Sequence, residues 1–259
     1  MKAVLGFVLV LCHLGATQAW NCQEAPRLYN ARQIEASQGK VLARGSSNRV
    51  YFLSGKSWYR LGSVSLKHVS IGSAGIWGVD SANRVYKFVA GEFLPSTGTL
   101  LHQVDAGGNG QVVGLTPTTN TTYCLISTSA ASYKGVGSLS WRSLGRAMKH
   151  YSCGPYGCWG VDSNNRVYVS QVSPTACSSS AWSLVSGRPM HMIDVSTDGR
   201  VFGVTTTGLV YQRTHVSSSR PQGLTWSSVP MCMPVTSLTY DLGQLWILTK
   251  SGLLLQCTH

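Results

Sequence analysis

Apolar and polar residues alternate in short stretches along most of this chain. His68-Val69-Ser70-Ile71-Gly72 and His102-Gln103-Val104-Asp105-Ala106-Gly107 are two of them, with weaker versions at Met192–Ser196 and Gln33–Ala36. After each comes a second apolar-rich stretch, a turn, and a third stretch that often reads Arg-Val-Tyr. Period-2 alternation bounded by Gly, Asn and Asp predicts β-strands. Helical periodicity is absent almost everywhere.

The stretches repeat. Ile76–Tyr86 reads IWGVDSANRVY and Cys158–Tyr168 reads CWGVDSNNRVY, nine of eleven positions being identical. Trp77 and Trp159 stand 82 residues apart, two periods of about 41, within the range that marks solenoids and propellers. A degenerate copy lies between them, at Gly110–Leu115 with Thr122–Cys124. It lacks the Trp and the Asp turn. Further copies are Lys40–Ala43 with Asn48–Phe52, Arg200–Val204 with Gly208–Tyr211, and Leu245–Leu248 with Gly252–Leu255. A Trp opens a fourth stretch after most copies, at Trp58, Trp141, Trp182 and Trp226.

Six units of four short strands predict an all-β, six-bladed β-propeller. The last unit lacks its outer strand, and Trp20-Asn21-Cys22 supplies a spare one. A ring closed by this N-terminal strand removes an exposed edge and sets Cys22 beside Cys257. The fourth unit carries Cys153 and Cys158 where the second has Ile71 and Ile76. They flank a hairpin turn, so a disulfide is expected there as well. Cys124, Cys177 and Cys232 are left with pairings open.

Composition sharpens this picture. Lys2, the apolar run AVLGFVLVL and Thr17-Gln18-Ala19 read as a signal peptide over residues 1–19, leaving residues 20–259 as one propeller domain and the protein as secreted. No later segment is apolar enough to span a membrane. The net charge is +12, yet charged residues make up only 12% of the chain. The sign therefore reflects scarce acids. Its bases are scattered rather than clustered, which argues against a nucleic-acid groove, while the diffuse field suits anionic surfaces. Asn120-Thr121-Thr122 is a glycosylation sequon, which predicts a surface stretch.

The unit W-x-x-L-G … V-S-x-G … G-x-W-G-V-D-S-x-N-R-V-Y resembles the tectonin repeat, and the mature chain as a whole resembles the fish-egg lectins of that family. The resemblance implies a secreted, non-enzymatic sugar binder of eggs and innate defence. Its implied partners are N-acetylglucosamine-containing glycans and bacterial lipopolysaccharide or cell-wall sugars. It implies no cofactor and no metal, and it allows a homo-oligomer. The competing readings are a secreted protein-interaction scaffold and a propeller glycan hydrolase.

Candidate chemistry is sparse. Glu35, Asp105 and Asp194 recur at one inner-strand position, and recurrence favours a structural role; no pair stands out as the two carboxylates of a glycosidase. Ser196-Thr197-Asp198-Gly199 approaches a sialidase turn but lacks its Trp. His68, His102, His150 and His191 recur near the inner strands and read as polar residues near a channel mouth. Trp77, Trp159 and Trp246 read as core. A sugar site combines an aromatic face with a few amide, carboxylate or Arg groups. Asp80, Asn83, Arg84, Asp162, Asn165 and Arg166 in the two well-kept turns, with Tyr133 and Tyr156, meet that description. For the turn residues, capping is the competing role.

Overall fold

The computed structural model describes residues 20–259, so the expected signal peptide lies outside the described residues. Six four-stranded antiparallel sheets follow one another as blades of a β-propeller. The inner strands are Ala31–Ser37, His68–Gly72, Gln103–Asp105, His150–Gly154, Met192–Val195 and Val235–Asp241. In the sixth blade Asn21–Glu24 pairs antiparallel with Leu254–Thr258. The chain's beginning thus supplies the last outer strand. Cys22 faces Cys257 in that register, and the two are disulfide-bonded.

Alternation of side chains across each strand sends one face of a blade into each neighbouring seam. The buried apolar residues form six clusters, each joining residues of adjacent blades. Trp77 and Trp159, both with no exposed surface, fill the seams between the second and third and between the fourth and fifth blades.

The glycine after each Trp has a packing reason. A β-carbon on Gly78 would lie 2.5 Å from Leu66, and one on Gly160 2.8 Å from Met148. The same holds for Gly114 against Leu101 and Gly203 against Met190. In blades two to five an apolar plug just ahead of the inner strand presses onto this position, so no larger residue fits; the first and sixth blades carry Ala43 and Ile247 there.

The turn asparagines link blade to blade. Asn48, Asn83, Asn120 and Asn165 all have positive φ, a conformation Asn tolerates better than most residues. Their carbonyls accept the backbone N–H of the next plug: Leu66 at 2.7 Å, Leu101 at 2.9 Å, Met148 at 2.8 Å and Met190 at 2.9 Å. In the fifth blade Gly208 takes this role toward Val235 at 3.0 Å.

A second set of bonds joins the inner strands around the axis. Ser70 Oγ accepts from Ala106 N, Asp105 Oδ1 from Cys153 N, Ser152 Oγ from Val195 N, Asp194 Oδ2 from Tyr240 N and Thr239 Oγ1 from Ala36 N. Between the first two blades, Gln33 clamps the backbone of Val69 instead.

Cys153 and Cys158 are joined across the hairpin of the fourth blade. Cys124 and Cys177, whose pairing the sequence left open, are joined across the seam between the third and fourth blades. One departure from strands occurs where the third repeat fades: Ser127–Ser132 forms a short helix. It sits in the insertion between the third strand and the outer strand Arg142–Ala147.

Candidate functional site

The two ends of the ring differ in what they expose. Hairpins between inner and second strands define one face; turns between second and third strands define the other. Tyr156 is on the first. Asp80, Asn83, Arg84, Asp162, Asn165 and Arg166 are on the second, so the structure does not bring the sequence-selected residues together.

The turn residues are occupied with one another. Asp80 is 6% exposed. Its carboxylate accepts Arg84 N at 2.9 Å, Arg84 Nε at 2.7 Å and the Tyr86 hydroxyl at 3.1 Å. Burial alone would raise the Asp80 carboxyl; the backbone and side chain of Arg84 and the Tyr86 hydroxyl outweigh it and hold the group below the usual carboxylate range. Asp162 repeats the arrangement with Arg166 N at 2.9 Å and Nε at 2.8 Å. Asn83 and Asn165 accept a bond from Lys67 and Lys149 through their side-chain oxygens. This face of the repeat is a clamp.

Tyr133 is also internal rather than a loop contact. It is 5% exposed, stacks on Trp77 with ring centroids 6.1 Å apart, and donates its hydroxyl to Pro95 O at 2.7 Å. The short helix carries it inward, and its hydroxyl finds the partner that a buried tyrosine needs.

Among the selected residues, Tyr156 borders an open groove. A groove of about 460 Å³ crosses the seam between the third and fourth blades on the hairpin face. Asn109 and Gln111 line it from the third blade, Pro155 and Tyr156 from the fourth-blade hairpin, and Gln171 and Ser180 from the following loop. Each part is braced. The Cys153–Cys158 bond closes the hairpin, and the Cys124–Cys177 bond ties down the loop. Gly199 at φ +83° lets the next hairpin lie against the Tyr156 ring; a β-carbon there would come within 2.3 Å of it.

Gln111 is 2% exposed, and its Oε1 has no hydrogen-bond partner among the described residues. A buried acceptor left unpaired costs about 1–3 kcal/mol. Gly108 makes room for this side chain, since a β-carbon there would meet Gln111 at 2.4 Å.

A second, wider groove of about 720 Å³ lies at the ring closure, between the sixth and first blades. Gln23, Gln244, Gln256, Lys56 and the edge of Trp246 line it. Gln256 donates to Gln244 at 2.9 Å. Three blades separate the two grooves, which sets them on opposite sides of the ring.

The carboxyls of Glu35, Asp105 and Asp194 surround the axis on alternate blades. Burial first, and then the charges of Asp194 and Asp105, raise Glu35 well above the usual range. Asp105 is pushed up to about 6 by burial, and Asp194 to about 8 by burial and the charge of Asp105. Asp105 and Asp194 are spent on the seam bonds already described, which fits a structural role. No group of three or more metal-binding side chains forms among the described residues. No helix among them is long and apolar enough to cross a membrane. Asn120 sits half-buried on the turn face, its Oδ1 2.8 Å from His102 Nε2.

The groove residues Asn109, Gln111 and Gln171 were not selected from the sequence. They lie where the third and fourth units depart from the repeat, so the usable signal was the departure itself.

Comparison with known proteins places these observations. The tectonin domain family model matches residues 30–250. The fish-egg lectin of Cyprinus carpio is 38% identical over 157 residues, which is 60% of this chain and 65% of the carp protein. The match therefore spans less than two thirds of that relative. Among solved structures, a gluconolactonase from Xanthomonas campestris superposes with a TM-score of 0.68 at 9% identity, covering 92% of this chain and 89% of that one. A luciferin-regenerating enzyme gives 0.62 at 9% identity, over 93% and 96% of the two chains. At such identities these last two speak for the propeller fold alone.

Proposed function

Because this chain belongs to the tectonin family, we propose that it is a secreted lectin that binds N-acetylglucosamine-type glycans without turning them over. The observation that carries this reading is the Tyr156 groove. It sets an aromatic ring beside the unpaired buried acceptor of Gln111 and the amides of Asn109 and Gln171. An apolar ring face with a few fixed polar groups is what a sugar requires. An acetamido N–H is a suitable donor for Gln111 Oε1. The carp relative's name supports a lectin; the sugar class and a role in the innate defence of eggs rest on the family resemblance.

Two grooves on one rigid ring favour multivalent use. Linked weak sites raise avidity by about 10² to 10⁴ on a surface that engages both. Bacterial lipopolysaccharide and cell-wall sugars are such surfaces, and the net charge of +12 favours anionic ones. A glycan array tests the reading. N-acetylglucosamine-terminated glycans are expected to stand out, and an array on which no sugar class does would favour a protein-binding scaffold. A chromogenic N-acetylglucosaminide should remain uncleaved.

A further inference from the structure

The turn face carries an ordered set of bases that the sugar groove does not use. In blades two to five, Lys67, His102, Lys149 and His191 occupy one register position. Each donates its backbone N–H to the end of the second strand: Val79 O at 2.8 Å, Leu115 O at 2.8 Å, Val161 O at 2.7 Å and Val204 O at 2.6 Å. Lysine and histidine therefore alternate around one mouth of the central channel.

The charge there is uncompensated. Arg27, Arg84, Arg166 and Arg200 make the ion pairs found among the described residues; neither lysine makes one. Asp80 and Asp162 lie within electrostatic reach of Lys67 and Lys149, but each already pairs with its own Arg. Lys67 and Lys149 each give one N–H to a turn asparagine, which fixes the ammonium and leaves further donors. Burial first, and then neighbouring cations, lower His191, with Lys149 and Lys250 the cations concerned. His102 is lowered by burial, with Asn120 opposing and Lys67 reinforcing the effect. The two imidazoles thus act as neutral hydrogen-bonding groups between fixed positive charges.

We propose that this channel mouth is an anion site that takes the phosphate groups of a phosphorylated saccharide. Each ammonium is a compact point charge suited to phosphate, and two of them match the charge of a phosphate dianion. They stand two blades apart, so a sugar carrying two phosphates uses the mouth better than one carrying a single phosphate. A surface lined by one sign of charge also raises the local concentration of such a ligand. A glycan on Asn120 would stand at the His102 edge of this mouth, leaving the Lys149 side open. The site lies on the face opposite the Tyr156 groove and does not depend on the lectin reading.

Titration calorimetry with fructose 1,6-bisphosphate tests it, with fructose as the neutral control. The wild type should bind the bisphosphate and not fructose. Lys67→Gln with Lys149→Gln, which keeps an amide donor toward each asparagine, should weaken binding at least tenfold. Lys40→Gln with Lys134→Gln, on the hairpin face, should leave it unchanged. N-acetylglucosamine binding should be equal in all three, which separates this site from the groove. If the first variant does not fold, amide shift mapping on the wild type answers instead, with shifts expected at Lys67, His102 and Lys149. No binding by the wild type, equal weakening in both variants, or shifts confined to the hairpin face would overturn the proposal.

Discussion

The carbonyl oxygen of Asn83 accepts the backbone N–H of Leu101 at 2.9 Å, and so holds the third blade to the second. Asn165 does the same for Met190 at 2.9 Å. Both asparagines carry positive φ, at 67° and 64°. Replacing either with Ala should cost about 1 kcal/mol, because Ala lacks the short polar side chain that lets Asn occupy the left-handed region more readily than other β-carbon residues. Replacement with Gly, the residue that the fifth blade uses at 208, should be near neutral. Urea midpoints of the four single variants check this. An Ala variant as stable as its Gly counterpart would show that backbone conformation is not what selects Asn.

The Asp80–Arg84 and Asp162–Arg166 pairs join the two ends of one turn each. The guanidinium side chains are 59% and 54% exposed, so solvent screens the pairs and each contributes little. Arg84→Ala combined with Arg166→Ala should lower stability modestly and leave affinity for N-acetylglucosamine glycans unchanged. A loss of glycan binding in this double variant, with the fold intact by circular dichroism, would return the sugar site to the turn face.

The ring was legible in the sequence because its contacts repeat. Trp77 and Trp159, the glycines beside them, and the Asn turns recur because the same packing contacts are made in several blades. Even the closure could be read, since the sixth unit lacked a strand that Asn21–Glu24 could supply. The groove was not legible for the opposite reason. Gln111 belongs to the most degenerate unit, and Gln171 to a loop with no counterpart in the second blade. Residues that differ between blades form the site, and a search for recurrence passes over them. Tyr156 was selected because it sits at a hairpin tip. Tyr133 was selected by the same logic and proved internal, because the uncapped helix Ser127–Ser132 turns it toward Trp77.

The Asp194 carboxyl gives a pH dependence with a definite sign. Its value is pushed from an ordinary 3.8 to about 8, chiefly by burial and then by the charge of Asp105. As pH rises from about 4 to about 8, the unfolded chain releases this proton while the folded protein keeps it. The contribution to stability therefore falls across that window and is flat above it. Asp194→Asn stays neutral and retains an oxygen for Tyr240 N–H. Melting temperatures of variant and wild type should agree at pH 4 and diverge toward pH 8.5 in favour of the variant. The underlying stability difference at pH 8.5 should be on the order of a few kcal/mol. A gap that does not change with pH would mean that Asp194 ionises normally in the folded ring.

The Cys124–Cys177 bond closes a loop with a sequence separation of 53. Loop-closure entropy assigns such a bond about 4 kcal/mol. Cys124→Ser with Cys177→Ser should lower the melting temperature and release the loop that carries Gln171 and Ser180, weakening sugar binding several-fold. Hydrogen exchange should report faster opening at residues 171–182 than in the wild type. Unchanged exchange there would show that packing of the half-buried Trp182, rather than the disulfide, holds the loop.

Calorimetric titration of the wild type, Tyr156→Ala and Gln111→Leu with N,N′-diacetylchitobiose shows whether the Tyr156 groove holds the sugar. Truncating Tyr156 removes the ring face, and the Gln111 change removes the unpaired acceptor at similar volume. Each should weaken the groove by roughly tenfold, corresponding to about 1.4 kcal/mol, while the melting temperature stays within a few degrees. The closure groove, three blades away, should keep its affinity and appear as a residual site in both variants. Wild-type binding with neither variant weakened would contradict the assignment of the sugar site to the Tyr156 groove.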